Sequence, residues 1–378
     1  MKTPTLRGMA VATDLTRSGR LHEATALIQS LLQGKAPDPE PATQLAQGDV
    51  IEGQFTRLNP KPAKRGSQAS APLAETLRKI GAGGMPRRAP LSGLTDPVPP
   101  GAQFLELTYA GPQGSRSYRL YIPANRANAP MPLIVMLHGC TQSPEDFARG
   151  TGMNALAEEF GCLIAYPAQP SGANVQKCWN WYRREDQGRD RGEPALIAGL
   201  TRAIWAEYQG DPDRTYIAGL SAGGAAAVIV AAAYPEMFAA VGVHSGLALG
   251  SAQDVPSAFA AMRSGARGVP NDSAVPTIVF HGLADSTVHP DNGSAVLAQA
   301  LQAMPGLRVT TRQGHGPGRP YRTTAHLHAD GRSLAEHWQI DGAGHAWAGG
   351  NAAGSYTDPS GPDASRQMLR FFLQHRQP

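Results

Sequence analysis

The sequence predicts an α/β domain at residues 102–378, with a mostly parallel central sheet and helices on both faces. Two observations predict it. Short apolar runs suited to buried parallel strands recur along this part of the chain, and stretches of helical character separate them. Strands that alternate with helices in this way are typical of a parallel sheet covered on both sides. The strand-like runs are 133–137, 162–166, 215–218, 238–243 and 277–280, and the helical stretches are 146–160, 193–208, 222–233 and 291–304.

Two segments ahead of these runs have a different pattern. Residues 104–109 and 117–122 alternate apolar and polar side chains, which predicts a pair of antiparallel strands at the start of the domain. A further strand is expected at 335–340, and a last helix near 367–374.

The first hundred residues differ from the rest in composition. Residues 1–34 carry two apolar stripes at helical spacing and predict an N-terminal helical segment. Residues 35–101 contain eleven prolines and several basic residues, and they predict a largely disordered linker because such a segment buries too little apolar surface to order itself. A helical hairpin and a solvated linker are the preferred interpretation, and docking of 1–100 to a polymer granule or a partner is the alternative.

Charge and cysteine content exclude several classes of protein. A net charge of +4 over 378 residues is too diffuse to predict nucleic-acid binding. The longest apolar run, 225–234, is too short to span a bilayer. The three cysteines lack zinc-site spacing, so neither a metal nor another cofactor is expected. The first ten residues lack the apolar run of a secretory signal, so a cytoplasmic protein is expected, with an extracellular one as the alternative.

The sequence Gly219-Leu220-Ser221-Ala222-Gly223 carries the strongest chemical signal. It follows a predicted strand and precedes an Ala-rich helix, which is the context of a nucleophile elbow. A tight turn there strains the serine backbone and requires small residues on either side. Ser221 is therefore the predicted nucleophile, and the N–H of Ala222 is one predicted oxyanion donor.

A serine hydroxyl needs a base and an orienting acid, because it is a poor nucleophile at neutral pH. In the α/β-hydrolase fold these follow in the chain order Ser, Asp or Glu, His. His345 lies in a Gly-rich loop after a predicted strand and is the predicted base. Asp285 lies just beyond the end of another strand and is the predicted acid. Its rivals are Asp291, expected at the start of the next helix, and Asp341, which is close to His345 in sequence.

The remaining histidines are interpreted structurally. His281 and His289 flank the predicted acid and are expected to pack or hydrogen-bond within its loop. Those on less constrained or strand-like segments are expected at the surface, and they are His315, His326, His328 and His337.

A second oxyanion donor is expected in the loop after an early core strand. The strand at 133–137 leads into His138-Gly139-Cys140-Thr141-Gln142, a Gly-flanked turn in that position. The N–H of Cys140 is the predicted donor, and His138 is expected to brace the loop through a side-chain hydrogen bond.

These motifs together resemble the esterase family of poly(3-hydroxybutyrate) depolymerases, over about residues 103–376. The motifs that carry the resemblance are the 137–142 loop, 178–182, 219–224, 244–246, 281–290, 342–350 and Ser355-Tyr356-Thr357-Asp358-Pro359. The resemblance implies an α/β-hydrolase with Ser221, Asp285 and His345 as its triad. It also implies a serine esterase that acts through an acyl-enzyme on polyesters or oligoesters of the 3-hydroxybutyrate type.

Relatives of this family widen the choice of substrate. They include feruloyl and acetylxylan esterases, so such an esterase or a general short-chain carboxylesterase is the alternative, and a non-catalytic granule-binding protein is a distant one. Trp179, Trp181 and Trp347 are predicted to line the substrate cleft, with core packing as an alternative nearly as strong. Gln142 is also predicted to contact substrate. Cys140 and Cys178 are expected either to pair, in an oxidising compartment, or to remain free thiols.

Overall fold

The protein's structure, a computed structural model, describes residues 98–126, 129–314 and 318–378, all within one compact unit. The predicted N-terminal helical segment and nearly all of the predicted linker lie outside the described residues. The strands are β1 Gln103–Gly111, β2 Gly114–Ile122, β3 Met131–Leu137, β4 Leu163–Pro167, β5 Gly210–Leu220, β6 Ala240–His244, β7 Thr277–Gly282, β8 Arg308–Gly314, β9 Tyr321–Leu327, β10 Ser333–Ile340, β11 Trp347–Ala348 and β12 Thr357–Asp358. The helices are α1 Pro144–Thr151, α2 Met153–Phe160, α3 Gly192–Tyr208, α4 Ala222–Ala233, α5 Val255–Ser264, α6 Asp291–Leu301 and α7 Ala364–Phe372.

Ten of these strands form one sheet, in the order β1-β2-β4-β3-β5-β6-β7-β10-β9-β8. The six strands from β4 to β10 in this order pair in parallel, and the two at each side pair antiparallel. The predicted mostly parallel sheet is confirmed, including the antiparallel pair at its start. Because parallel strands end at the same edge, the loops that follow β3, β5, β7 and β10 all lie at one edge of the sheet.

The sheet separates two apolar cores, as the alternation of side chains along its strands requires. In β3, Leu133, Val135 and Leu137 face one core, and Ile134 and Met136 face the other. Helices α3 to α6 supply side chains to the first core, and α1, α2 and α7 supply them to the second. The prediction of helices on both faces is confirmed. In the described part of the chain, no helix combines the length and apolar character needed to cross a bilayer.

The predicted helix at 146–160 is wrong as a single element. The structure divides it into α1 and α2 at Gly152, whose φ is +64°. A left-handed residue ends an α-helix because it cannot continue the hydrogen-bonding pattern, and glycine adopts that conformation at no steric cost.

His337 corrects another prediction. It was expected at the surface, but it is only 5% exposed on β10. This strand is covered on both faces, unlike the neighbouring β9, on which His326 stays partly exposed.

Candidate active site

The turn between β5 and α4 holds Ser221 in an unusual backbone conformation. Its φ is +59° and its ψ is −120°, and a non-glycine residue adopts such values only where the surroundings impose them. A side chain at Gly223 would collide with the Leu137 carbonyl, and one at Gly219 with the Gly223 backbone. The turn therefore packs against the end of β3 with room for hydrogen atoms alone, as the motif predicts.

Asp285 and His345 meet at the same edge of the sheet. The Nδ1 atom of His345 lies 2.7 Å from Oδ2 of Asp285, although the residues are 60 positions apart. The N–H groups of Thr287 and Val288 each donate to Asp285 Oδ1 at 2.9 Å. Burial alone would raise the pKa of Asp285, but His345 and His281 outweigh it and hold that pKa well below its usual range. The aspartate is thus ionised, so the proton lies on His345 Nδ1 and Nε2 is left as the basic nitrogen.

His281 is a second histidine beside the same carboxylate. Its Nε2 lies 2.8 Å from the Val288 carbonyl oxygen and 3.5 Å from Asp285 Oδ2, with the side chain fully buried. The sequence analysis expected His281 to pack or hydrogen-bond within this loop, and its bond to Val288 agrees with that. Its position on β7, four residues before Asp285, is the signal that could have indicated the contact with Asp285.

His244 links the nucleophile turn to the loop of the predicted base. Its carbonyl accepts the N–H of Ser221 at 2.9 Å, and its Nε2 accepts the N–H of Ala348 at 3.0 Å. Burial, with His281 and His345 nearby, lowers the pKa of His244 to about 3, so the ring is neutral. The sequence analysis included His244 in a family motif but predicted neither contact, because both depend on β6 lying between β5 and β7.

The loop after β3 is fixed by hydrogen bonds around Gly139. The N–H of Gln169 donates to His138 Nε2 at 3.1 Å, which places the ring proton on Nδ1. That nitrogen donates to the Gly139 carbonyl at 2.8 Å, and the Gly139 N–H donates to Gln142 Oε1 at 2.9 Å. Burial lowers the pKa of His138 to about 4 and keeps the ring neutral. The loop is thus braced through the His138 side chain.

This bracing sets the direction of the Cys140 N–H. The Gly139 carbonyl and the Cys140 N–H belong to one planar peptide unit and point in opposite directions. Fixing the carbonyl therefore fixes the N–H. Within the residues that the structure describes, neither this N–H nor that of Ala222 has a protein acceptor, so both are free to bind a developing oxyanion.

Cys140 is also joined to Cys178 by a disulfide, with their Cα atoms 4.2 Å apart. Of the two alternatives left open by the sequence, the structure has the paired form. The third cysteine, Cys162, is buried as a free thiol, and burial raises its pKa to about 12.

A buried carboxylate supports the segment that carries Cys178. Glu193 accepts the N–H of Asn180 at 2.8 Å, the Asn180 side-chain amide at 2.9 Å, and the side-chain amide of Gln169. Gln169 also donates to the Cys178 carbonyl at 3.0 Å. Burial and the nearby Asp186 raise the pKa of Glu193 to about 7. Sequence reasoning did not identify this group.

Three residues join the loop of the predicted base to the oxyanion loop, and we call them the latch: Gln142, Asp146 and Ser355. Gln142 Nε2 donates to the Ser355 carbonyl at 3.1 Å and to Asp146 Oδ2 at 3.1 Å. The Ser355 N–H donates to Asp146 Oδ1 at 3.0 Å, and the Ser355 hydroxyl also bonds Asp146. Gln142 therefore bonds Gly139 through its oxygen and the 351–358 segment through its nitrogen.

Comparison with known proteins agrees with this geometry. Residues 116–310, a little more than half of the chain, match the family described as Esterase PHB depolymerase. The chain belongs to this family. Its described domain is accordingly that of a carboxylic ester hydrolase of the α/β-hydrolase class.

Individual members and relatives of the PHB depolymerase family are similar over different lengths. A poly(3-hydroxyalkanoate) depolymerase C of Paucimonas lemoignei is 32% identical over 238 residues, which is 58% of this chain and 55% of that protein. Feruloyl esterase B of Neurospora crassa is 27% identical over 285 residues, which is 70% of this chain and 89% of that protein. The chain thus spans about half of the depolymerase and most of the feruloyl esterase.

A solved structure supports the fold of this family member. The acetyl xylan esterase from Aspergillus awamori superposes with a TM-score of 0.56 at 20% identity, covering 72% of this chain and 99% of that one. Among the described residues of the esterase, no group of three or more His, Cys, Asp or Glu side chains is placed to hold a metal ion.

The four residues predicted to contact substrate are buried in this esterase. Trp179 is fully buried and donates from its indole N–H to the His138 carbonyl at 3.1 Å. Trp347 is 1% exposed and donates to Ser365 Oγ at 3.0 Å. Trp181 is 6% exposed and packs edge-on against Tyr182. Gln142 is 2% exposed within the latch. All four side chains are thus buried, with polar atoms bonded or rings covered, which agrees with the core-packing alternative for the three tryptophans.

Proposed function

We propose that the protein is a serine esterase that hydrolyses 3-hydroxybutyrate-type polyesters or oligoesters. The observation that carries the chemistry is the 2.7 Å bond between His345 and an ionised Asp285, at the sheet edge where Ser221 occupies a strained elbow. The choice of substrate is supported by the 32% identity to a poly(3-hydroxyalkanoate) depolymerase.

In the proposed mechanism, His345 Nε2 takes the proton of the Ser221 hydroxyl as Oγ attacks the ester carbonyl carbon. Asp285 holds the imidazole in the required tautomer and stabilises the imidazolium. The N–H groups of Cys140 and Ala222 bind the oxyanion of the tetrahedral intermediate. The alcohol leaves with the proton from His345, and water then cleaves the acyl-enzyme by the same route in reverse.

A labelling experiment tests the nucleophile. A fluorophosphonate probe should label the wild-type protein at one site, and Ser221→Ala should abolish both labelling and ester hydrolysis. Ser245→Ala is a matched control, because Ser245 also has a positive φ, of +50°, at the end of a neighbouring strand. Labelling that persists in Ser221→Ala would exclude Ser221 as the nucleophile and leave a non-catalytic granule-binding role open.

A feruloyl or acetylxylan esterase is the second candidate function. It is favoured by the 89% of a feruloyl esterase that this chain covers, against 55% of the depolymerase. Rates on a 3-hydroxybutyrate trimer, methyl ferulate, acetylated xylan and p-nitrophenyl butyrate distinguish the candidates. A higher kcat/KM for methyl ferulate or acetylxylan than for the trimer would replace the first proposal.

We also propose that the protein works in an oxidising compartment, the alternative to the expected cytoplasm. The Cys140–Cys178 disulfide supports this, because disulfides persist where thiol reductants are scarce. Cell fractionation with blocking of free thiols tests it, and a reduced, cytoplasmic protein would contradict it.

Docking of residues 1–100 to polymer granules remains a separate proposal. Deletion of those residues should then abolish co-sedimentation with granules.

A further inference from the structure

Tyr356 is a large side chain that stays 44% exposed beside the candidate active site. Its hydroxyl lies 3.2 Å from Oγ1 of Thr141, the residue directly after the predicted oxyanion donor Cys140. Its carbonyl accepts the N–H of Trp347, two residues after His345, at 2.7 Å. The residue therefore reaches from the loop of the predicted base to the oxyanion loop.

The backbone of Tyr356 is held in an unfavourable conformation. Its φ is +52°, in the left-handed region that glycine or asparagine adopts more readily than an aromatic residue. The latch fixes the backbone just before Tyr356, because Gln142 and Asp146 bond the carbonyl and the N–H of Ser355. The fold thus holds an aromatic ring out of the core at a position where a smaller residue would be less strained.

The surface around the Tyr356 hydroxyl combines polar and apolar groups. Thr141 is exposed and also has a positive φ, of +67°, and its N–H donates to the Gln176 carbonyl at 2.7 Å. Val175, the neighbour of Gln176, is 78% exposed. The phenol hydroxyl of Tyr356 thus lies beside an exposed threonine, and an exposed valine is one residue from the carbonyl that Thr141 bonds.

We propose that Tyr356 binds the ester unit next to the one being cleaved. Its ring packs on the alkyl part of that unit, and its hydroxyl donates to that unit's carbonyl oxygen. A phenol hydroxyl has one proton and two lone pairs, so it accepts from Thr141 while donating to the substrate. This inference rests on the proposed function, because an oligoester offers a second carbonyl and a simple monoester does not.

The test compares two substrates in one pair of variants. Tyr356→Phe should lower kcat/KM for the methyl ester of a 3-hydroxybutyrate trimer about 5-fold, the worth of one hydrogen bond, and chiefly by raising KM. The same variant should keep kcat/KM for p-nitrophenyl butyrate within about 2-fold of wild type. Tyr121→Phe is the matched control, because it removes a bonded phenol hydroxyl, 2.7 Å from Glu158, that belongs to β2.

Several outcomes would overturn the inference. Equal losses on both substrates would mean that the hydroxyl only positions the oxyanion loop. No loss on either substrate would mean that Tyr356 does not contact the second unit. If the wild-type protein cleaves p-nitrophenyl butyrate but not the trimer, both the proposed substrate and this inference are overturned. If wild type and Tyr356→Phe cleave the trimer equally well, only this inference is overturned.

Discussion

Gln142 offers a sharp test of how the oxyanion loop is held. Gln142→Met keeps the length of the side chain and removes its hydrogen bonds to Gly139, Asp146 and Ser355. The buried Gly139 N–H is then left without its acceptor, which costs about 1–3 kcal/mol of folding stability. His138 still bonds the Gly139 carbonyl, so the Cys140 N–H becomes less well oriented without being lost.

The size of the kinetic effect follows from this partial loss. Removing one oxyanion donor outright costs about 10²–10³ in kcat. Because the His138 bond to Gly139 remains, we expect kcat for p-nitrophenyl butyrate to fall only about 10-fold. We expect KM to change less than about 2-fold, because the ground-state ester makes little use of the oxyanion donor. Steady-state kinetics and urea unfolding measure the two effects on the same samples.

Gln299→Met separates loss of stability from loss of orientation. Gln299 is 3% exposed on α6 and bonds Leu249 and Val269, so its replacement also leaves hydrogen-bonding groups without their partner. We expect this variant to lose comparable stability and to keep kcat. If Gln142→Met keeps kcat within 2-fold while losing as much stability as Gln299→Met, the link between Gly139 and the oxyanion donor is refuted.

Three further predictions concern the triad, acid stability and the disulfide. Asp285→Asn should lower kcat by about 10⁴ in esterase assays, because His345 loses the partner that fixes its tautomer. His337→Leu should reduce the loss of unfolding free energy between pH 7 and pH 5. Burial lowers the pKa of His337 to about 4, so between pH 7 and pH 5 this histidine becomes protonated in the unfolded chain only. The wild-type protein therefore loses about 2 kcal/mol of unfolding free energy over this range, and the variant does not. Replacing Cys140 and Cys178 by alanine should lower the unfolding free energy by about 4 kcal/mol, since the bond closes a 38-residue separation, and should keep kcat within about 3-fold because the backbone N–H remains.

Each of these three has an outcome that contradicts it. Asp285→Asn with more than a tenth of wild-type kcat would exclude it as the acid. His289→Leu is the control for His337, because its side chain is 45% exposed, and equal pH dependence of the two variants would contradict the assigned role of burial. A large loss of kcat in the double cysteine variant would show that the disulfide, more than His138 and Gln142, orients the Cys140 N–H.

The central sheet could be predicted because its strands are buried on both faces and appear as continuous apolar runs. Strands β8 and β9 carry no such signal, since most of their side chains are exposed or partly exposed. The break at Gly152 was missed because the apolar pattern continues across it, and only the left-handed φ of that residue ends α1.

The candidate site also has features that the sequence could predict and features that it could not. Ser221, Asp285 and His345 could be predicted as a triad because chain order and strand ends are visible in the sequence, and the structure brings Asp285 and His345 together. His244 and Glu193 act through neighbours that only the sheet order and the packing of α3 bring close. For the tryptophans, the sequence left cleft lining and core packing almost equally supported, because proximity in sequence to a site loop does not tell whether a ring lies above or beneath that loop.

The latch has a consequence for protein synthesis. Ser221 and its elbow leave the ribosome well before His345 and Ser355, and the Gln142 amide meets its Ser355 partner only after residue 355 has been translated. A nascent chain therefore carries a serine without a base and an oxyanion loop without its tether. Hydrolytic activity should appear abruptly once residues 345–358 have emerged, so that translation-arrested chains of stepped length would report completion of the site through hydrolysis of p-nitrophenyl butyrate.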